Sequence, residues 1–214
     1  MSHGSLTLPA RLSLLAWDTA RPPAGGAAHP AGPVRAGALV DLARRGLLTD
    51  EDGIATPADM DSRSGDAALD GLLVLVHESC PHPWRTWVTL RARVTADAVR
   101  EQLVAGGYLR AEKRRVLGVF PSVEYELERA AAVKVLREET REALLGPLPA
   151  AGLAERDAAV AVLADAADLL GVSAGERRVG ELTERAGASV PGLERIVREV
   201  RAAVAATVPV PASL

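Results

Sequence analysis

Apolar residues recur along most of the chain every three or four positions, which is the spacing that predicts amphipathic α-helices. The segment 33–46 opens on a proline and closes on a glycine, as the two ends of a helix prefer. Within it, Val34, Ala38 and Leu42 share one face, whereas Asp41 lies on another with the arginines that follow it. Comparable patterns return downstream, so helix is the main element that the sequence predicts.

One later segment is apolar around its whole circumference rather than along one stripe. Residues 154–171 consist mostly of alanine, valine and leucine, which predicts a central, largely buried helix. The segment before it carries an apolar stripe at Val133, Leu136 and Leu144 and predicts a further helix. The predicted fold class is therefore mainly α: a single globular domain of about seven or more helices around a central helix, with one prominent β-hairpin.

That hairpin is predicted from the stretch KRRVLGVFPSVEYEL, residues 113–127. Val123, Tyr125 and Leu127 alternate with two glutamates, which is the period of a strand with one apolar face. Upstream, three consecutive cations run directly into the apolar residues 116–120, which include the predicted tip. An apolar tip beside a basic cluster raises the question of what the hairpin contacts.

Composition places the chain among globular proteins, since its 214 residues are 48% hydrophobic and 25% charged. We expect residues 1–214 to form one domain in which residues 1–11 are disordered. The net charge of −3 and the sequence pI of about 5.9 disfavour a general nucleic-acid binder, which would carry a basic domain.

The expected location is the cytoplasm, with peripheral attachment where the protein meets a membrane. The single cysteine, Cys80, indicates a reducing compartment. No apolar run is long enough to cross a bilayer, and the N-terminus lacks the pattern of a secretory signal.

Candidate chemistry is concentrated in the segment HESCPH, which places His77, Cys80 and His82 close together. A zinc-protease helix needs two histidines four positions apart, but these are one position further apart and prolines interrupt the helix. Two histidines and a thiol also need a fourth ligand to form a structural zinc site, and the sequence suggests none. We therefore expect no metal, no cofactor and no enzymatic activity. An enzyme that uses Cys80 with His77 is kept as an alternative.

Two tryptophans, Trp84 and Trp87, flank Arg85. The favoured interpretation is core packing of both indoles, with a surface arginine between them. The alternative is an exposed aromatic and basic patch that contacts a lipid head group or a protein partner.

Four segments of the chain, taken in order, resemble those of a known family, although no single motif among them is specific. The four stretches are VRAGALVDLARRGLL, SGDAALDGLL, CPHPWRTWV and VREQLVAGGYLRAEKRRVLGVFPSVEYEL. Their order along the chain resembles the order of the corresponding segments in the Golgi phosphoprotein 3 family, which includes a yeast vacuolar-sorting relative and bacterial members. The resemblance extends from about Leu12 to the C-terminus and implies a single, mainly helical domain with a prominent hairpin.

The resemblance also implies a function. Eukaryotic members bind phosphatidylinositol 4-phosphate at the Golgi, retain glycosyltransferases there and insert the hairpin tip into the bilayer. This chain would then be a peripheral membrane adaptor for an anionic phospholipid of the phosphoinositide type, with a protein client and self-association through the hairpin. The resemblance places the lipid head group at Arg35 and Arg93. The membrane-contacting hairpin residues would be Arg114, Arg115, Val119, Phe120, Pro121 and Val123.

The family's lipid pocket contains two further residues that have no counterpart in this chain. The family tryptophan would fall at Gly26, and the second of two paired arginines would fall at Ala96. Arg35 and Arg93 thus match half of the pocket, which leaves the identity of the lipid open.

Two other classes of function stay open. A helix followed by a hairpin is also the pattern of a winged-helix regulator that binds nucleic acid. Its recognition helix would be ADAVREQLVAGG, whose one arginine and two acidic residues suit DNA poorly. The other class is a protein-interaction scaffold that does not bind lipid.

Overall fold

The computed structural model describes residues 6–17, 31–116 and 120–207, with side chains throughout except at 113–116, 120–122 and 207. The helices are α1 (Leu8–Leu15), α2 (Ala31–Arg44), α3 (Ala67–Glu78), α4 (Trp84–Thr89), α5 (Ala92–Ala105), α6 (Ala130–Leu145), α7 (Glu155–Ala166), α8 (Glu176–Gly187) and α9 (Leu193–Thr207). Two antiparallel hairpins interrupt them, formed by β1 (Leu48–Glu51) with β2 (Ile54–Pro57) and by β3 (Leu109–Val116) with β4 (Phe120–Leu127). The prediction of a mainly α fold with a prominent β-hairpin is confirmed.

Helix α7 lies at the centre of the molecule. Every residue from 158 to 164 is buried, and α1, α2, α6, α8 and α9 all pack against it. Because most of its side chains are short, neighbouring helices approach it closely on every side. The prediction of a central, largely buried helix is confirmed, although α7 already ends at Ala166.

Helix α2 is enclosed as well, since α1, α3, α4, α5, α7 and α9 contact it. All residues from 33 to 43 are buried, including the charged Arg35 and Asp41. Gly37 permits the approach of α1, because a Cβ at this position would lie 2.6 Å from Leu12 Cδ1. The polar face that the sequence pattern assigned to Asp41 is therefore covered by α1 rather than open to solvent.

Helix α1 contradicts the expectation that residues 1–11 are disordered. Leu8 is fully buried, and its backbone N–H donates to Asp41 Oδ2 at 2.9 Å. Arg11 Nη1 pairs with Asp157 Oδ1 at 2.7 Å. The expectation was wrong for residues 6–11 because partners distant in sequence, on α2 and α7, hold this segment. Residues 1–5 lie outside the described part of the chain.

Both hairpins follow helices that end in the same way. Gly46 and Leu47 donate to carbonyl oxygens three and five positions earlier, both at 2.9 Å. Gly107 and Tyr108 repeat this pattern at 3.0 and 2.9 Å. These paired bonds define a Schellman motif, and both glycines supply the positive φ that it requires, 71° and 67°. Helix, glycine and hairpin thus form a unit that occurs twice in the described chain.

The β3–β4 hairpin packs one face on the body of the protein. Tyr125 lies beneath the guanidinium of Arg100 on α5, 5.0 Å from its ring centroid, and Leu127 packs against the core. Glu126 instead pairs with the exposed Arg110. The predicted alternation is therefore confirmed from Tyr125 to Leu127, whereas Val123, predicted on the same face, is 46% exposed.

Candidate functional site

Arg35 lies in the first half of α2 with none of its side chain exposed to solvent. Its Nη2 donates to the carbonyl oxygen of Arg91 at 2.6 Å. In the described part of the chain, its Nε and Nη1 have no hydrogen-bond acceptor. Buried arginines are almost always paired, and a guanidinium carries five N–H donors. Arg35 therefore keeps N–H donors that no described residue accepts.

Burial lowers the pKa of Arg35 from its usual value to about 10, and no carboxylate in the described residues offsets this effect. Arg35 is still protonated at neutral pH, so a positive charge that no described carboxylate neutralises lies away from water. Since one pKa unit corresponds to about 1.4 kcal/mol, this charge costs about 3 kcal/mol of folding free energy. An anion that reached the unpaired nitrogens would offset that cost.

Arg35 lines a cavity of about 240 Å³ between α3 and α5, which we call the α3–α5 slot. Small residues keep the slot open, because Ala67, Gly71 and Ala98 line it and larger side chains at these positions would fill its space. A Cβ at Gly71 would meet no atom within 4 Å. At the rim, Val94 is 63% exposed. The slot is therefore an apolar groove at the surface with a buried cation in its wall.

Two further arginines lie at the N-terminus of α5. Arg91 precedes the helix in the left-handed conformation, with φ 51°, and lines the slot. Arg93 lies in the first turn and is exposed, but its side chain does not line the slot. The first turn of α5 contains no acidic residue, so its positive helix-dipole end is not neutralised locally. The structure thus joins Arg35 to Arg91 and places Arg93 two residues further along.

Sequence reasoning identified Arg35 and Arg93 but missed Arg91, Val94 and the slot. Arg91 is one of many arginines in the chain, and no local pattern shows that α3 passes beside the N-terminus of α5. The only available signal was the pair of arginines two positions apart in LRARV. Ala96, where the family has a second arginine, is 4% exposed and lies in the core.

The residues expected to contact a membrane lie towards the far end of the β3–β4 hairpin. The backbones of Arg114, Arg115, Phe120 and Pro121 belong to the paired strands, and their side chains are not described. Val119 lies outside the described residues. Val123 is 46% exposed, which is unusual for a valine and leaves apolar surface on this part of the hairpin.

The HESCPH segment and the two tryptophans occupy different environments. Cys80 is exposed, and His82 packs edge-on against Trp87 with ring centroids 5.3 Å apart. Among the described residues, no group of three or more His, Cys, Asp or Glu side chains is arranged to hold a metal ion. Both tryptophans are fully buried, and Trp84 Nε1 donates to Asp50 Oδ1 at 2.7 Å. The interpretation of both as core residues is confirmed.

Comparison with known proteins identifies one family. The family model described as Golgi phosphoprotein 3 (GPP34) matches residues 8–208, a range that includes Arg35, the α3–α5 slot and both hairpins. A comparison with individual curated proteins gives no match. Throughout the ranges that the structure describes, the helices are too short or too polar to cross a bilayer.

Proposed function

Because the chain belongs to the Golgi phosphoprotein 3 family, we propose that it is a peripheral membrane adaptor that binds an anionic phospholipid head group of the phosphoinositide type. The observation that carries the proposal is Arg35, a buried guanidinium beside an open slot, two of whose nitrogens have no acceptor among the described residues. Proteins tolerate such a locally unfavourable group mainly at functional sites. Arg35 and Arg93 are the proposed head-group residues, and Arg91 connects them.

The electrostatic setting of this end of α5 supports an anionic partner. The chain as a whole carries a net charge of −3, so attraction to an anionic surface has to come from a local concentration of cations. Arg91 and Arg93 provide it on the surface, and the N-terminal dipole of α5 adds to the same field. The exposed Val94 lies within this basic region and offers apolar contact beside the charges.

The β3–β4 hairpin is the proposed second contact with the membrane. Residues 119–121 are expected to insert between lipid head groups while Arg114 and Arg115 contact phosphates, and the exposed Val123 adds apolar surface. Each cation near an anionic membrane contributes about 1 kcal/mol, and each buried methylene about 0.8 kcal/mol. Two weak signals of this kind together give reversible attachment.

The proposed role is binding, without catalysis, metal, cofactor or nucleic acid. An adaptor has to hold a second molecule at the membrane, so the proposal includes a protein client and self-association through the β3–β4 hairpin. The location that follows is the cytoplasmic face of a membrane.

Flotation with liposomes tests the proposal. Wild-type protein is mixed with neutral vesicles, vesicles that contain phosphatidylserine, and vesicles that contain phosphatidylinositol 4-phosphate, each at low and high salt. We expect flotation only with the anionic vesicles, and less at high salt because the attraction is screened. Arg35→Met and Phe120→Asp should each weaken flotation by roughly tenfold or more, since one charge-assisted bond or the apolar tip is lost.

Arg177→Ala is the matched control, because Arg177 is exposed on α8 and its ion pair with Glu181 lies at the surface. Like Arg35→Met, this variant removes one positive charge, but from another part of the molecule. It should float like wild type. Circular dichroism shows whether each variant is folded. The proposed function is contradicted if the protein floats with neutral vesicles or does not float under any condition. It is also contradicted if all three variants lose flotation equally.

A further inference from the structure

We propose that the α3–α5 slot selects a singly charged amphiphile, with one anionic group at Arg35 and a short hydrocarbon segment along the slot. This inference rests on the anion-binding role proposed above for Arg35 and narrows the chemical class of the ligand. The preferred ligand is a monoanion attached to hydrocarbon, and additional phosphates on a sugar head group are not needed for binding. A fatty carboxylate in solution and a monoanionic phospholipid in a bilayer share this chemistry.

The charges around the slot match one negative group. Arg35 and Arg91 contribute two positive charges and Glu78 one negative charge, so the lining residues carry a net charge of +1. Of these three, Arg35 alone is buried, whereas Arg91 and Glu78 are exposed and hydrated. Among the described residues, the only other cation lining the slot is the exposed Arg91, and an ion pair in water contributes little to binding. Elsewhere in the slot a second anionic group would meet hydrocarbon or the carboxylate of Glu78 and would lose its hydration without gaining a partner.

The walls of the slot suit hydrocarbon. Apart from Arg35, Glu78, Arg91 and Thr95, every lining residue is alanine, glycine, valine or leucine. Sugar hydroxyls would find few hydrogen-bond partners along these walls, whereas methylene groups lose no hydrogen bond when they leave water. The exposed Val94 at the rim is apolar surface that such a chain would cover.

The size of the slot points to a short chain. Its volume of about 240 Å³ lies below the 300–1,000 Å³ of pockets that hold drug-sized ligands. Gly71 maintains this space, because it lies within α3 and a Cβ there would meet no atom within 4 Å. Glycine is unfavourable inside a helix relative to alanine. Its presence in α3 is therefore explained if an open slot is needed.

Hexanoate tests the inference in solution, with two compounds as matched controls. Hexanol has the same chain without the charge, and inorganic phosphate has charge without the chain. Binding is measured by calorimetry and by the shift in Tm. We expect only hexanoate to bind, and to raise Tm by about 5 °C at a concentration on the order of 100 times its Kd. Arg35→Met should abolish this shift.

Gly71→Leu fills the slot and keeps Arg35 in place. We expect at least roughly tenfold weaker hexanoate binding, with a Tm no lower than that of wild type, because the added side chain meets open space and favours helix. Gly180→Leu is the control: Gly180 lies within α8, and a Cβ there also meets no atom within 4 Å. This variant should bind hexanoate like wild type.

Vesicles test whether the ligand is a phospholipid in a bilayer rather than a fatty carboxylate in solution. We expect vesicles of phosphatidylglycerol to float the protein at least as well as vesicles of phosphatidylinositol 4-phosphate of equal total charge. Gly71→Leu should reduce flotation on phosphatidylglycerol. The slot inference is wrong if phosphate binds as well as hexanoate, if hexanoate does not bind, or if Gly71→Leu binds it like wild type. Flotation that depends on Arg35 would still support the membrane role. Hexanoate binding through Arg35 without flotation would support the slot and exclude the membrane role.

Discussion

Helix α2 buries two charged side chains, Arg35 and Asp41, and their surroundings differ. Asp41 accepts hydrogen bonds from the backbone of Leu8 and from two arginines one turn along α2, at 2.9, 3.1 and 3.0 Å. Arg35 donates to the carbonyl oxygen of Arg91, while its Nε and Nη1 have no acceptor among the described residues. Both side chains are 0% exposed, so burial alone does not distinguish their roles.

The pKa values of the two groups reflect this difference. Burial raises the pKa of Asp41, but hydrogen bonds from Leu8, Arg45 and Arg44 together lower it below 3.8, so its charge is stabilised by the protein itself. Burial lowers the pKa of Arg35 and nothing in the described chain compensates. A buried charge with its own partners holds helices together, whereas the proposal assigns the two nitrogens of Arg35 that lack a described acceptor to a ligand.

Asp41→Ala tests the structural member of the pair and has the largest expected effect. The Leu8 N–H would be left buried without an acceptor, and two arginines would lose their carboxylate. We expect the free energy of unfolding to fall by about 3 kcal/mol, as measured by urea denaturation. Glu181→Ala, which removes the ion pairs of Glu181 with Arg177 and Arg178 on α8, should cost less than about 1 kcal/mol. A loss for Asp41→Ala no greater than this control would show that Asp41 does not hold α1.

Arg35→Met tests the other member and should change stability in the opposite direction. Methionine can be buried without a charge, and it fills a similar elongated space. We expect the free energy of unfolding to rise by about 1 to 3 kcal/mol although ligand binding is lost. The same urea experiment measures it. If Arg35→Met instead destabilises the protein as strongly as Asp41→Ala, then Arg35 is a structural charge and the comparison fails.

The contributions of Asp41 and Arg35 to stability should also depend differently on pH, although this effect is smaller. Because the folded-state pKa of Asp41 lies below 3.8, its contribution is complete above that pH and is lost as the pH falls through the folded value. For Arg35 the folded pKa is about 10, below its usual value, so the cost of its burial is constant in acid and is relieved only above pH 10.

Calorimetry between about pH 6 and pH 2 should therefore show the Tm of Asp41→Asn approaching that of wild type as the pH falls. The Tm difference between Arg35→Met and wild type should stay constant over the same range. A Tm difference for Asp41→Asn that is unchanged by acid would mean that the charge of Asp41 contributes nothing.

Much of the fold was predictable because its signals are local. The continuous run of small apolar residues predicts the buried α7, and the stripe at Val133, Leu136 and Leu144 predicts α6, where all three are buried. The alternation at Tyr125 and Leu127 predicts strand β4. Each of these patterns reflects which side of one element faces the core, and that side is encoded in the spacing of its own residues.

Sequence patterns identified part of the candidate site and missed the rest. Arg35 was recognised from its place in a helix that resembles the family, but the sequence could not show that its side chain is buried or that two of its nitrogens have no acceptor among the described residues. Arg91, Val94 and Gly71 line the slot only because α3 and α5 lie side by side. Helical spacing describes a helix by itself and carries no information on which other helix will cover it.

The sequence by itself determined most of the helices, the β3–β4 hairpin, the central position of α7 and, through the order of its segments, the family. The tertiary structure decided which charges are satisfied. Asp41 and Arg35 lie six positions apart in one helix, and only the placement of α1, α3 and α5 around that helix gives one a full set of partners and leaves the other an open slot. The physical reason is that apolar spacing acts within an element, whereas the hydrogen-bond partners of a buried charge come largely from other elements.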